Sequence, residues 1–190
     1  MRHYQKVSQP TPADAVALAR AKFLAGERVD MRELAGELGV HRATLYRWVG
    51  DKERLLGEVI GTMSRRTAAL NRRAVRGHGP AAIAKIVQRG LEQMHAFEPM
   101  RAFLARDPEY ALRVLTSQES TVQQSTIGAV RDLLGEEVAR GTLSTTLDLD
   151  DLAYVIVRIG ESFLYSDLII GRQPDLAKAG LMVQMLLGSA

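Results

Sequence analysis

The chain has 190 residues, 46% of them hydrophobic and 5% aromatic, with a net charge of +3 and no cysteine. That length supports one sizeable, mainly aliphatic core or two small domains. The lack of cysteine excludes disulfides, thiolate zinc sites and cysteine nucleophiles, as expected of a cytoplasmic protein.

The net charge conceals an asymmetry. Residues 1–76 hold 15 Lys and Arg against 8 Asp and Glu, and residues 77–190 hold 10 against 14. Unless those arginines merely solvate a surface, a polyanion would meet the N-terminal part alone.

The N-terminus, MRHYQKVSQPTP, lacks an apolar core segment and reads as a flexible polar arm over 1–12, not a secretory signal. No apolar run approaches the ~20 residues of a membrane span, so no membrane partner is expected. A first amphipathic helix follows over Ala13–Leu24, with Val16, Leu18, Ala19, Phe23 and Leu24 apolar, and stops at Gly26. Asp30 and Glu33 have capping-box spacing, and Val29 and Leu34 are placed as a hydrophobic staple, so a second helix starts there and ends at Gly39. A third runs to about Val49. A fourth starts at Asp51, a good N-cap, and continues through Leu55, Leu56, Val59, Ile60 and Met63.

NRRAVRGHGP, Asn71 to Pro80, is basic and glycine-bearing and marks the boundary in composition. Beyond it, punctuation at Pro99, Pro108, Gly141, Gly171 and Pro174 predicts helices over roughly 80–97, 99–106, 108–140, 148–171 and 174–188, with a break near Gly128 allowed. Nothing alternates with period two, so the fold is all-α. The sequence divides into the arm, a three-helix helix-turn-helix domain over 13–60, and a helical effector-binding and dimerisation domain over 61–190.

The stretch LAGELGVHRATLYRWVGDKERLL carries the functional signal. Leu34, Ala35 and Leu38 face inward on one helix, Gly39 turns the chain, Val40 plugs the turn, and Leu45 and Trp48 anchor a second helix. Ala35 allows two crossed helices to approach. This is helix-turn-helix patterning. Arg42, Ala43, Tyr46 and Arg47 then fall outward, with Thr44 at the edge. A major groove admits such a helix, where arginine pairs with guanine and Thr or Ala touches a thymine methyl. Tyr46 can reach a phosphate and lie against the sugar. Lys52, with the dipole of the fourth helix, suits another phosphate. Two amphipathic helices meeting at a glycine would also give the bare pattern, and a protein-binding helix-turn-helix without an effector is the alternative reading.

The run MRELAGELGVHRATLYRWVGDKERLLGEVI closely resembles the DNA-binding domain of TetR-family regulators. The signature is Gly-Val-x-x-x-Thr-Leu-Tyr, Gly39 to Tyr46, with Lys52 six residues on. The resemblance implies a repressor that binds a near-palindromic, double-stranded operator as a homodimer, with DNA contacts from Arg42, Thr44, Tyr46, Arg47 and Lys52. His41 stands where Ser or Thr usually caps the recognition helix, and either contacts DNA or acts locally. Val49 stands where Phe is frequent. The N-terminal run is also similar to QsdR-type regulators, a branch linked to lactone and quorum-signal degradation. A small, largely apolar effector is therefore expected to release the DNA, with lactones among the candidates.

In the second part, Tyr154, Arg158, Glu161 and Tyr165 are spaced 4, 3 and 4 and share a helix face. They either line an effector pocket or form an intrahelical or interface ion pair. His95, beside Met94 and Phe97, and also Phe103 and Tyr110 are candidate pocket walls, with core packing the alternative. Apolar residues on more than one face of the last two helices, Leu181, Val183, Met185, Leu186 and Leu187 among them, point to a homodimer four-helix bundle.

Catalysis is not expected. His3, His41, His78 and His95 show no metal-ligand spacing, GESFL lacks the second glycine of a nucleophile elbow, and GHGPAA follows no strand. No metal or cofactor is expected either.

Overall fold

The computed structural model describes residues 9–117 and 119–188, and most of the 1–12 arm lies outside them. Among the described residues there are eleven helices: α1 (Pro12–Leu24), α2 (Met31–Glu37), α3 (Arg42–Val49), α4 (Lys52–Ala74), α5 (Gly79–Ala96), α6 (Glu98–Arg106), α7 (Pro108–Thr116), α8 (Thr121–Ala139), α9 (Leu149–Leu164), α10 (Ser166–Ile170) and α11 (Leu176–Gly188). None of them is long and apolar enough to cross a membrane.

The helix ends follow the sequence closely where a cap is written. Asp30 accepts hydrogen bonds from the Arg32 and Glu33 N–H groups at 2.8 and 3.1 Å, and Asp51 accepts from Arg54 N–H at 2.8 Å. Each satisfies donors that the first turn would otherwise leave open. Thr11 and Asp14 form a reciprocal capping box on α1. After α2 the chain turns at Gly39, φ +65°. There Val40 N–H reaches Ala35 O at 3.0 Å and Gly39 N–H reaches Gly36 O at 3.1 Å, the paired bonds of a Schellman turn.

Two expected helices are each split. The segment 108–140 breaks at Ser120, not at Gly128, which lies inside α8. The Ser120 hydroxyl accepts from Val122 and Gln123 N–H and donates to Val114 O, tying α7 to the start of α8. The segment 148–171 breaks at Tyr165, where the buried Ser166 hydroxyl donates to Phe163 O and Arg172 O.

Two buried clusters build the core. One joins α1, α2, α3 and the first half of α4 to Met100, Phe103, Val114, Leu115, Leu164 and Tyr165. The other packs Ile83 and Ile86 of α5, Leu134 of α8, Leu152 and Ile156 of α9, and Val183 and Leu187 of α11. α4 runs unbroken for 23 residues between them. It lies close along α8: a Cβ on Gly61 would come within 3.1 Å of Thr121 O, so only glycine fits there without movement.

Candidate nucleic-acid interface and effector cavity

In α3, Leu45 is wholly buried and Val49 nearly so, with Trp48 packed partly against the same core. Full burial of a leucine is worth about 2 kcal/mol. That anchoring leaves Arg42, Ala43, Tyr46 and Arg47 exposed on the opposite side, with Thr44 half-buried at the edge. The Arg42 guanidinium sits 6.0 Å from the Tyr46 ring centroid. His41 occupies the N-cap, exposed, and its side chain makes no capping bond. The first N–H groups of α3 therefore stay available beside these side chains, and a helix N-terminus favours an anion.

Lys52, in the first turn of α4, is held from behind. Its ammonium lies 4.8 Å from the Tyr110 ring centroid on α7, and Arg113 flanks the same ring at 5.4 Å. Arg113 also pairs with Glu53 at 3.2 Å. Burial, then the nearby Arg28, lowers the Lys52 pKa. Burial, with the negative charge of Glu53 adding to it, pushes the Tyr110 phenol up to about 12. α7 thus grips the turn that carries Lys52.

Between α4, α5, α8 and α9 lies a cavity of about 1150 Å³. Its walls are mainly carbon, with Ile60, Met63, Met94, Phe97, Leu115 and Ile156 representative. Glu161 and Tyr165 bring polarity at the end nearest α1, α2 and α3, and Arg72, Asp132 and Glu136 at the other. Burial outweighs the Arg158 guanidinium, 2.6 Å from Glu161, and pushes that carboxyl up to about 7. Burial also raises the Tyr165 phenol well above its ordinary range.

The Tetracyclin repressor-like, C-terminal domain family model matches residues 78–188. The R. erythropolis transcriptional repressor QsdR, from the TetR family, is 30% identical over 93% of this chain and 94% of that one, with a TM-score of 0.88. The chain belongs to the TetR family. Two less similar TetR-family structures share the fold. The repressor AlkX from Dietzia sp. strain DQ12-45-1b is 20% identical over 96% of this chain and 98% of that one, with a TM-score of 0.60. A putative regulator from Shewanella sp. PV-4 is 16% identical over 94% and 96%, with a TM-score of 0.55. No curated protein sequence matches the chain.

For this TetR-family regulator, the six residues selected for DNA form one group on α3, its cap and the start of α4. The seven selected for an effector do not stay together. Glu161 and Tyr165 line the large cavity. Arg158 is exposed and reaches the cavity only through its bond to Glu161, and Tyr154, 51% exposed, points away from it. Their spacing does put them on one side of α9, but on that side only Glu161 and Tyr165, at its end, face the cavity, while Ile156, Val157 and Gly160 reach it from the adjoining face. His95 is exposed on α5. Phe103 and Tyr110 pack edge to face at 6.1 Å and line a separate cavity of about 210 Å³ beside Lys52.

Most of the cavity wall on α4, from Ile60 to Arg72, escaped sequence reading. The available signal was the run of small residues Thr67, Ala68 and Ala69 between bulkier ones, which leaves space instead of filling it.

Proposed function

We propose that the protein represses transcription as a homodimer on a near-palindromic operator and releases it when a small, largely apolar effector fills the cavity between α4, α5, α8 and α9. His41, Arg42, Thr44, Tyr46, Arg47 and Lys52 contact DNA, with α3 in the major groove and Lys52 on a phosphate. The N-terminal helices, 13–60, serve the operator, and 61–190 serve effector and dimer, with α4 continuous across that division. Exposed apolar residues support dimerisation through the last helices: Tyr154 and Val155 on α9, Ile169 and Ile170 on α10, Leu181 on α11. The bundle would bury them against the same residues of a second copy.

One juxtaposition carries this reading. α4 walls the cavity along residues 60–72 and presents Lys52 at its other end, while Leu115 of α7 lines the same cavity and Tyr110 and Arg113 of α7 hold that first turn. A ligand with different affinity for two arrangements of α4 and α7 would shift the population between them. The test is a gel shift on duplexes selected from a random pool, across a salt series and with apolar compounds that include lactones. Affinity should fall steeply with salt, as phosphate contacts require, and at least one compound should release the DNA. Salt-independent binding, or a bound compound that leaves the complex untouched, would count against it.

A further inference from the structure

The cavity also narrows the chemistry of its occupant, an inference that rests on reading it as the effector site. From Ile60 to Arg72 the α4 wall is about 18 Å long at 1.5 Å per residue. Phe97 and Tyr165 are the two aromatic rings on it, while Met63, Met94 and Met100 add flexible walls. Such a lining fits a narrow, bendable chain better than a stack of flat rings.

Charge limits the head of that chain. At the end nearest the DNA-facing helices the ionisable groups are Glu161, half-buried, and Tyr165, 3% exposed, with the neutral hydroxyls of Thr121 and Ser125 near them. Glu161 would repel an anion. It already has a cation, Arg158 at 2.6 Å, so a ligand ammonium would crowd a second positive charge beside it. At the far end Arg72 is paired with Glu136 at 3.0 Å and Glu137 at 3.1 Å. Arg65 on the flank is exposed and donates to the hydroxyls of Ser125 and Thr62. Apart from the exposed Arg65, a carboxylate buried here meets only cations that already face a carboxylate, and burying a charge unpaired is costly.

We propose that the effector is an elongated aliphatic molecule with an uncharged polar head (a carbonyl, ester, amide or hydroxyl) seated against Glu161 and Tyr165. Tyr165 can donate a hydrogen bond to such a head. The elevated pKa of Glu161, about 7, lets its carboxyl do the same for part of the time at neutral pH.

Four probes of one chain length separate the classes by calorimetric titration: methyl decanoate, 1-decanol, decanoate and decylamine. The neutral pair should bind at least tenfold more tightly than either ion. Tyr165→Phe should weaken the neutral pair several-fold, and Glu161→Gln should narrow the discrimination against decanoate. Decanoate binding as tightly as its ester, with that binding lost in Arg65→Ala, would overturn the proposal. So would decylamine binding best and failing in Glu161→Gln, or no binding by any probe. A parallel gel shift keeps the two readings apart. Neutral probes that bind without releasing the duplex would defeat the release reading and leave the ligand class standing. An ion that binds best and still releases DNA would do the reverse.

Discussion

Two glutamates in the second part of the chain have opposite fates. Glu137, at the junction of α4, α5 and α8, is 1% exposed, yet its pKa is lowered to about 2. Burial alone would push it up. Donors from Gly79 N–H and Thr142 Oγ1, each at 2.7 Å, and His78 Nδ1 at 3.3 Å outweigh that, and Arg72 stands 3.1 Å away. Glu161, on the cavity wall, has one close cation and is pushed up to about 7. Burial pushes both carboxyls up, and the number of donors built around each decides whether that rise survives. The junction uses its glutamate as a structural clasp, whereas the cavity gives its own only Arg158 and Gln123 as partners.

Breaking the clasp should have the largest effect. Glu137→Ala strands Arg72 and the α5 N-terminus and should cost about 3 kcal/mol in urea unfolding. The wild type should show the matching acid limb. Because the folded pKa is depressed, the contribution of Glu137 is complete above about 4.5 and disappears as pH falls toward about 2. A variant whose acid unfolding matches the wild type would show that the clasp holds nothing.

On the DNA face, Tyr46→Ala and Lys52→Ala should each weaken operator binding by about 1–3 kcal/mol, with the dimer intact by sedimentation. Loss of the dimer in either would remove them from the surface role. Tyr110→Leu frees Lys52 from its aromatic seat and should change the response to effector more than the affinity for DNA, read from release curves.

Gly39→Ala forces a side chain into the left-handed region and should destabilise by about 1–2 kcal/mol. The smallest effect belongs to Glu161→Gln, and its sign opposes that of Glu137. A raised folded pKa means that stability falls as pH rises from about 4.5 to about 7, and the penalty stays complete above that. The glutamine variant should lose this slope and gain on the order of 1 kcal/mol relative to wild type between pH 5 and pH 8.

The DNA-facing helices were legible because local chemistry dictates them. Asp30, Gly39 and Asp51 mark ends within a few residues, and the inward register of Leu45 follows from the turn. Val49, in place of a larger ring, still packs at 3% exposure. The break before α8 was also written locally, as Ser120 and Gln123 at capping-box spacing, but no proline or glycine advertised it. The cavity was less legible for a different reason. Spacing places Tyr154, Arg158, Glu161 and Tyr165 on one side of α9, but which neighbour each meets depends on where α5 and α8 pass, and those are contacts distant in sequence. Tyr110 shows the same limit: it walls the smaller cavity, and its ring also supports a lysine 58 positions earlier.

The unbroken α4 has a mechanical consequence. Near its far end it is pinned, by Arg72 to Glu136 and Glu137 and by Asn71 to Gln93 and Arg89. A stiff rod fixed near residue 72 and nudged near residue 66 swings its tip at residue 52 through roughly three times the nudge, by the ratio of helix lengths. A bound chain that displaces the midpoint by a fraction of an ångström would move the lysine by a distance comparable to the tolerance of a hydrogen bond.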